Sequence, residues 1–408
     1  MVNALFDDGT RGAIAIDEQG TVTGRLLHGD DVAAAERAGC EVVDVGGRLV
    51  LPALAEPHAH LDKALTADVA PNPTGDLRGA IDAWISAEQS GAFDHDSMVA
   101  RVDRSLAMLL TAGTTLVRSH INVGGRIGVS YLVAAQQAAA RFRDAMDIEF
   151  VALTHMPMSG PGSETNLGAL NEAIDIGVDS IGGCPHLEPD AGACIDLVLD
   201  LAEQHGRSVD LHIDETLDPT VLTLETLALR CSDRAPRVSA SHCVSLGMVT
   251  SEIRDRVIDR VRQSDVSVVA LPQTNLFLQG RERPVATPRG LTPVLALKRA
   301  GVTVAAGADN AQDPFNLVGR SDPLETAALM VMAGHLLPQE AYDMVSLEVR
   351  TLMGRAAAGT HRGDVADLIA VPAGSVRETI AEAPADRMVF RGGRLVARST
   401  LERRLYIG

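Results

Sequence analysis

Aromatic residues are scarce: seven Phe, three Tyr and one Trp in 408 residues, 3% of the chain. A core drawn from the 46% hydrophobic content must therefore be aliphatic, and a chain this long can bury a large one. No run approaches the ~18 uncharged apolar residues that a membrane-spanning helix requires, so no membrane partner is expected. The opening Met1-Val2-Asn3-Ala4-Leu5-Phe6-Asp7-Asp8 has acids where a signal peptide would have a basic segment and an apolar run, and a cytoplasmic protein is the expectation. Basic residues are also short, 36 Lys and Arg against 54 Asp and Glu, for a formal charge of −18. Phosphates would be repelled, which argues against nucleic acid; solubility accounts for the charge. Five cysteines (Cys40, Cys184, Cys194, Cys231, Cys243) form no Cys-x-x-Cys pair and suit free thiols in a reducing compartment.

The two ends of the chain share a β texture. Ala13-Ile14-Ala15-Ile16-Asp17 and Thr21-Val22-Thr23 flank a Glu18-Gln19-Gly20 turn, and Glu41 to Val45 and Arg48 to Pro52 flank Gly46-Gly47. Asp367 to Val371 and Met388 to Ala397 are again apolar and broken by glycines. The expectation is one small β-sandwich domain made of residues 1–52 and 360–408, with residues 53–359 inserted. Inside that insert, short apolar runs recur near residues 115–118, 149–153, 180–183, 209–212, 238–242, 266–271 and 302–306. Helical spacing separates most of them, as in Ala191 to Gln204 and Val249 to Gln263. With the strand before His58 there are eight. Apolar strands alternating with helices imply a parallel sheet, and eight repeats a closed (β/α)8 barrel of the TIM type.

Barrels of this kind carry function at the C-terminal ends of their strands. The polar residues there are His58 and His60, then His120, His155, His186, His212, His242 and Asp309, drawn from only twelve histidines in the chain. The seventh strand instead leads into Leu271-Pro272-Gln273-Thr274-Asn275, which offers amides. His58 and His60 are two apart, so on an extended strand both imidazoles face one way, as a shared Zn or Fe ion would need. Taken singly, each histidine reads as readily as a buried or solvated side chain; the clustering points to metal.

The segment Leu51-Pro52-Ala53-Leu54-Ala55-Glu56-Pro57-His58-Ala59-His60-Leu61-Asp62-Lys63 resembles the metal-binding strand of the amidohydrolase superfamily, in its cytosine deaminase branch. Asp210 to Glu215, Ser239-Ala240-Ser241-His242, Asn275 to Arg281, Gly307 to Pro314 and Gly363 to Ile369 are similar in the same order. The resemblance implies that His58, His60, His212 and Asp309 hold one divalent ion, zinc or iron, with a position open for water. It implies that Asp309 takes that water's proton, that Glu215 carries protons between ring and leaving group, and that His242 holds or polarises the attacking oxygen. Two-metal members use a carboxylated lysine at the fourth strand end; Gly182 to Glu188 has none, and Cys184 there reads as structural.

The substrate-reading positions depart from the branch. His155 stands where a glutamine is usual, Asn310 where a second aspartate is, Phe315 where tryptophan is, and Asn122 where aspartate is common. Mismatched buried polar groups reject a ligand strongly, so cytosine itself is not the expected substrate. Lys63, Gln279 and Arg281 stand where they would meet a substrate, and Met156, Met158, Leu276 and Phe315 where they would wall it. The expected substrate is a small nitrogen heterocycle or cyclic amidine, deaminated by a metal-activated water. Cleavage of an amide or N-alkyl bond, and metal-dependent binding without catalysis, remain open. A homo-oligomer accords with the branch.

Overall fold

The computed structural model describes residues 1–26, 33–34, 36–37, 39–232, 234 and 236–407. Residues 27–32, 35 and 38, part of the N-terminal segment expected to join the β domain, lie outside the described residues.

Eight parallel strands form the barrel in chain order: β5 (Leu54–Ala59), β6 (Thr114–Val123), β7 (Asp147–Thr154), β8 (Ser180–Gly183), β9 (Ser208–Ile213), β10 (Val238–His242), β11 (Ser267–Ala270) and β12 (Val304–Ala306). The expected apolar runs fall on these strands. They are continuous because both faces are covered; every residue of β6 is buried. The ring closes through a parallel bridge between Ala59 and Asp309, where Asp309 N donates to His58 O at 3.0 Å. Helices pack outside. The Ala191–His205 helix starts at Asp190, whose carboxylate accepts from Ala193 N at 2.9 Å, and stops at Gly206 with φ +63°. It buries Cys194, Ile195, Val198, Leu199 and Ala202 on one face; each large aliphatic contributes about 1.5–3 kcal/mol when fully buried. Among the described residues no helix is long and apolar enough to cross a membrane.

The termini build the second sheet. Its strands are β1 (Ala4–Leu5), β2 (Arg11–Ile16), β3 (Val22–Leu26), β4 (Leu49–Pro52), β13 (Leu368–Val371), β14 (Met388–Arg391) and β15 (Arg394–Arg398), in the order β15-β14-β13-β4-β1-β2-β3. These strands make the small β domain expected of the termini, in one hydrogen-bonded row. It curls until its two end turns meet: a Cβ on Gly20 would lie 2.7 Å from Gly392 Cα, and Gly20 has φ +78°. Phe6, Ile14, Val22, Val50, Leu368 and Phe390 share the core inside that curl. Glu41 to Val45 is not the strand its composition suggests; only Asp44 bridges to Val2. Asp367 ties sheet to barrel, accepting from Arg350 Nη1 at 3.2 Å and from Arg391.

Candidate active site

The C-terminal ends of the strands gather the site at one end of the barrel. His58 and His60 leave β5, His212 ends β9, His242 ends β10 and Asp309 follows β12. His242 and Asp309 hold positive φ, +72° and +66°, a conformation that costs non-glycine residues and is retained where a side chain must be aimed. Glu56 fixes the seam between β5 and β12, its Oε1 accepting from His58 N at 3.1 Å and Oε2 from Ala308 N at 3.0 Å. Gly307 makes room for it, since a Cβ there would lie 2.4 Å from Glu56 Oε1.

The Nε2 atoms of His58, His60 and His212 form a triangle with sides of 3.3, 3.2 and 3.2 Å. A neutral imidazole carries one ring proton, so three mutual hydrogen bonds cannot account for that triangle. Three nitrogens about 2.0–2.1 Å from one tetrahedral ion would stand about 3.3–3.4 Å apart, and the triangle matches. Asp309 Oδ1 lies 3.2 Å from His60 Nε2 and 3.7 Å from His58 Nε2, yet neither oxygen of this buried carboxylate has a hydrogen bond. Burial first, then Glu215 and Asp313, push its carboxyl well above the usual range, so an ionised Asp309 needs a cation beside it. Burial, reinforced by His120 at His58 and His212 and by Lys63 at His60, holds the three imidazoles far below the ordinary histidine range. Neutral rings are what a cation requires. The donor set fits a divalent ion.

Around this set lies a second layer. His58 Nδ1 is 2.9 Å from Ser241 Oγ, which donates to Asp210 Oδ1 at 3.1 Å. Asp210 also takes Arg118 Nη1 at 2.9 Å and stands 3.3 Å from His120 Nε2. Burial pushes Asp210 up, but His120 and Arg118 outweigh it and keep the carboxyl below its usual range. Arg118 is itself clamped to Glu149 Oε2 at 2.9 Å.

A cavity of about 250 Å³ opens onto the metal ligands and is lined by His60, His212, Glu215, His242, Asp309 and others. Burial raises Glu215 to about 8, so it exchanges a proton near neutrality. Its Oε1 is 3.6 Å from His242 Nδ1, which Asn275 Nδ2 holds at 3.0 Å; His242 Nε2 has no partner. The neighbouring Asp214 is structural: it accepts from Thr223 N at 2.9 Å and Leu224 N at 3.1 Å at the start of a helix.

Of the expected substrate contacts, Lys63, His155, Asn310 and Phe315 line the cavity. Lys63 is buried rather than solvated, its Nζ 3.1 Å from His60 Nδ1 and 2.9 Å from Asn122 Oδ1, while Asn122 Nδ2 is 3.3 Å from His155 Nε2. Gln279 does not line this cavity. It faces the adjoining groove and donates to Glu215 O at 3.2 Å, because the chain turns away after Leu278. Arg281 stacks instead on Phe277. Met156 lines the cavity, whereas Met158 is packed against Cys194 and Leu276 is outside the lining. His186 bonds the carbonyl of His212 and lines the outer groove. The sequence reading passed over Trp84 and Glu88, both in the cavity wall. The signal was there: Trp84 is the only tryptophan in the chain.

The sequence profile of the amidohydrolase family matches residues 72–397, a span beginning just after the His58–His60 pair. The chain belongs to the amidohydrolase family. Members of that family use a metal, and this amidohydrolase is a hydrolase of carbon–nitrogen bonds in the cytosine deaminase-like branch. It is similar to a pterin deaminase of Rhizobium rhizogenes, 31% identical over 364 residues that cover 87% of this chain and 82% of the relative. Among solved structures it is similar to 5-methylcytosine deaminase from Klebsiella pneumoniae liganded with phosphonocytosine, with TM-score 0.85, 25% identity and 99% of each chain covered. N-isopropylammelide isopropylaminohydrolase from Burkholderia multivorans aligns with TM-score 0.78 and 26% identity over 98% of this chain and 99% of its own.

Proposed function

We propose that this amidohydrolase deaminates a planar nitrogen heterocycle, replacing a ring amine with oxygen from water and releasing ammonia. The observation that carries the reading is the nitrogen triangle with Asp309 at its edge and Glu215 beside it in the same cavity. His58, His60, His212 and Asp309 would hold one divalent ion, and the donor set suits zinc and iron alike. Such an ion, when bound, lowers the pKa of its water towards neutrality. Asp309 accepts a proton from the water. Glu215 protonates the ring nitrogen next to the carbon under attack, takes the proton of the adduct's hydroxyl as the carbonyl forms and gives it to the departing amine; the proton held by Asp309 then restores Glu215 to its acid form, so ammonia leaves and both carboxyls end as they began. His242 turns Nε2 towards Asp309, 3.9 Å from Oδ2, and orients the incoming oxygen.

Residues 53–359 form the catalytic unit in this reading, and residues 1–52 with 360–408 support it. The pterin and 5-methylcytosine deaminases among its relatives accord with a ring amine as leaving group. A substituted amine as leaving group is the second reading. The N-isopropylammelide aminohydrolase supports it, as does Asn310, whose amide is engaged with Asp313 Oδ2 at 2.7 Å. The test is to incubate metal-loaded protein with pterins, pyrimidines, purines, triazines, N-alkyl triazines and creatinine-like rings, and to assay ammonia and alkylamines. Ammonia from one ring class is expected, with cytosine a poor substrate. Silence across the panel ends the proposal, and alkylamine alone favours the second reading.

A further inference from the structure

The seventh barrel strand ends in amides where the others end in histidine or aspartate, and the reaction described above gives those amides no task. After β11 the chain enters the Pro272–Leu278 helix, whose first turn holds Pro272. Gln273 Nε2 donates to Thr326 Oγ1 at 2.7 Å and moors this helix to the Pro323–Met332 helix. Asn275 is fully buried, with Nδ2 3.0 Å from His242 Nδ1. Four residues on, Gln279 Nε2 donates to Glu215 O at 3.2 Å. Farther along the same stretch Thr292 Oγ1 donates to His242 O. One segment therefore grips His242 by ring and backbone and Glu215 by its carbonyl.

Glu215 Oε1 stands 3.6 Å from His242 Nδ1, beyond hydrogen-bond reach, so Asn275 is the partner of that nitrogen. Which of the two donates follows from what the pair leaves unmatched. With the amide nitrogen on the ring, the buried atom without a partner is Asn275 Oδ1. The reverse orientation would strand an NH2 group, two donors, in the same place, and buried donors are the rarer orphans. The amide nitrogen donates, then, and Nδ1 accepts. Buried beside a site built for a cation, the His242 ring is neutral and carries one proton, which is left to Nε2. That nitrogen faces Asp309 Oδ2, 3.9 Å away.

We propose that Asn275 is a positioning residue for the reaction: it holds His242 in the form protonated on Nε2 and so keeps the ring from hydrogen-bonding Glu215. A proton on Nδ1 would be drawn to Glu215 Oε1 and would tie up the carboxylate that moves protons between ring nitrogen and leaving amine. With Nδ1 filled by an amide N–H, Glu215 stays free and His242 presents a donor on the side where Asp309 receives the water's proton. This deepens the deaminase reading and rests on it, but the position of the ring proton can be measured without a substrate.

The first experiment needs no variant to decide. NMR of zinc-loaded protein with ¹⁵N-labelled histidines shows which ring nitrogens carry protons, and the signals lost in His242→Asn are those of His242. A protonated Nε2 and a bare Nδ1 are expected; a proton on Nδ1 overturns the proposal. Asn275→Leu keeps the branched shape and removes both the donor and the unmatched oxygen, so Tm and zinc content should hold. Its kcat, on whichever ring of the panel above releases ammonia fastest, should fall about 10²-fold with KM within about threefold, and the His242 proton should move to Nδ1. In a His242→Asn background the same substitution should cost less than about threefold, because Asn275 acts through that ring. A kcat within about threefold of wild type in Asn275→Leu, or an equal loss in both backgrounds, overturns the proposal. Ammonia release with the proton on Nδ1 would sink this inference alone; a proton on Nε2 with no ammonia from any ring would sink the deaminase reading alone.

Discussion

Ser241 contributes no ligand to the metal, yet replacing it with alanine should weaken metal binding selectively. With His58 Nε2 turned to an ion, the ring proton must sit on Nδ1, and Ser241 Oγ, 2.9 Å away, is its acceptor. Ser241 in turn donates to Asp210 Oδ1 at 3.1 Å, so proton order is fixed along the whole chain of groups. Alanine strands a buried N–H in the metal-bound state only; without metal, His58 can move its proton to Nε2. An unmatched buried donor costs about 1–3 kcal/mol, which is roughly a 5- to 150-fold loss of affinity. Outer partners of metal-bound histidines are worth about 10- to 100-fold, so the two scales agree near 30-fold. Competition between apo protein and a chromogenic chelator for Zn²⁺ measures the loss, and the apo Tm controls for packing. A variant that holds zinc within threefold of wild type refutes the reasoning. So does one whose apo form loses as much stability as its metal-bound form, because Ser241 would then be only a packing residue.

What could be read in the sequence follows from which physical signals are local. A parallel barrel covers both faces of its strands, so β6 and β11 appear as apolar runs and their ends can be counted. That count placed His58, His60, His212, His242 and Asp309 at one rim, and the structure brings them together. Glu41 to Val45 misled because alternating Val favours extended backbone whether or not a partner strand is beside it. Gln279 misled because its direction depends on where the chain exits the Pro272–Leu278 helix, which no spacing rule sets. Trp84 and Glu88 escaped notice because a helix following the first barrel strand looks, one residue at a time, like any amphipathic surface helix. Only the cavity shows that its inner face lines the site as well as packing on the core. Buried charges hid the same way: Arg118, Glu149 and Asp210 interrupt apolar strands, and their mutual pairing is visible only in three dimensions.

Three further outcomes are expected. Glu215→Gln should cut turnover by about 10²- to 10⁴-fold while leaving zinc content and ring binding intact; turnover within tenfold of wild type would remove Glu215 from the proton path. Gly307→Ala should lower Tm by several degrees and weaken zinc together, because its Cβ would sit 2.4 Å from Glu56 Oε1 and displace the carboxyl that aligns His58 with Ala308; an unchanged Tm would mean that the seam is slack. His186 gives a pH test away from the metal ligands' own nitrogens. Burial lowers it to about 4, while its hydrogen bond with His212 O raises it, and Nε2 has no partner. An unfolded histidine titrates near 6.5, so between about pH 6.5 and 4 the unfolded chain binds more protons than the folded one. The stability linked to His186 is therefore complete above about pH 6.5 and is lost as pH falls through that window. Urea unfolding of the metal-loaded protein across pH 4.5–7.0 should show His186→Asn, which keeps a donor for His212 O, with a shallower acid limb. The difference in slope should approach one proton, about 1.4 kcal/mol per pH unit at most, and sum to about 2 kcal/mol once the ring's partial exposure is allowed for. Parallel acid limbs for the two proteins would show that His186 protonates as freely when folded as when unfolded.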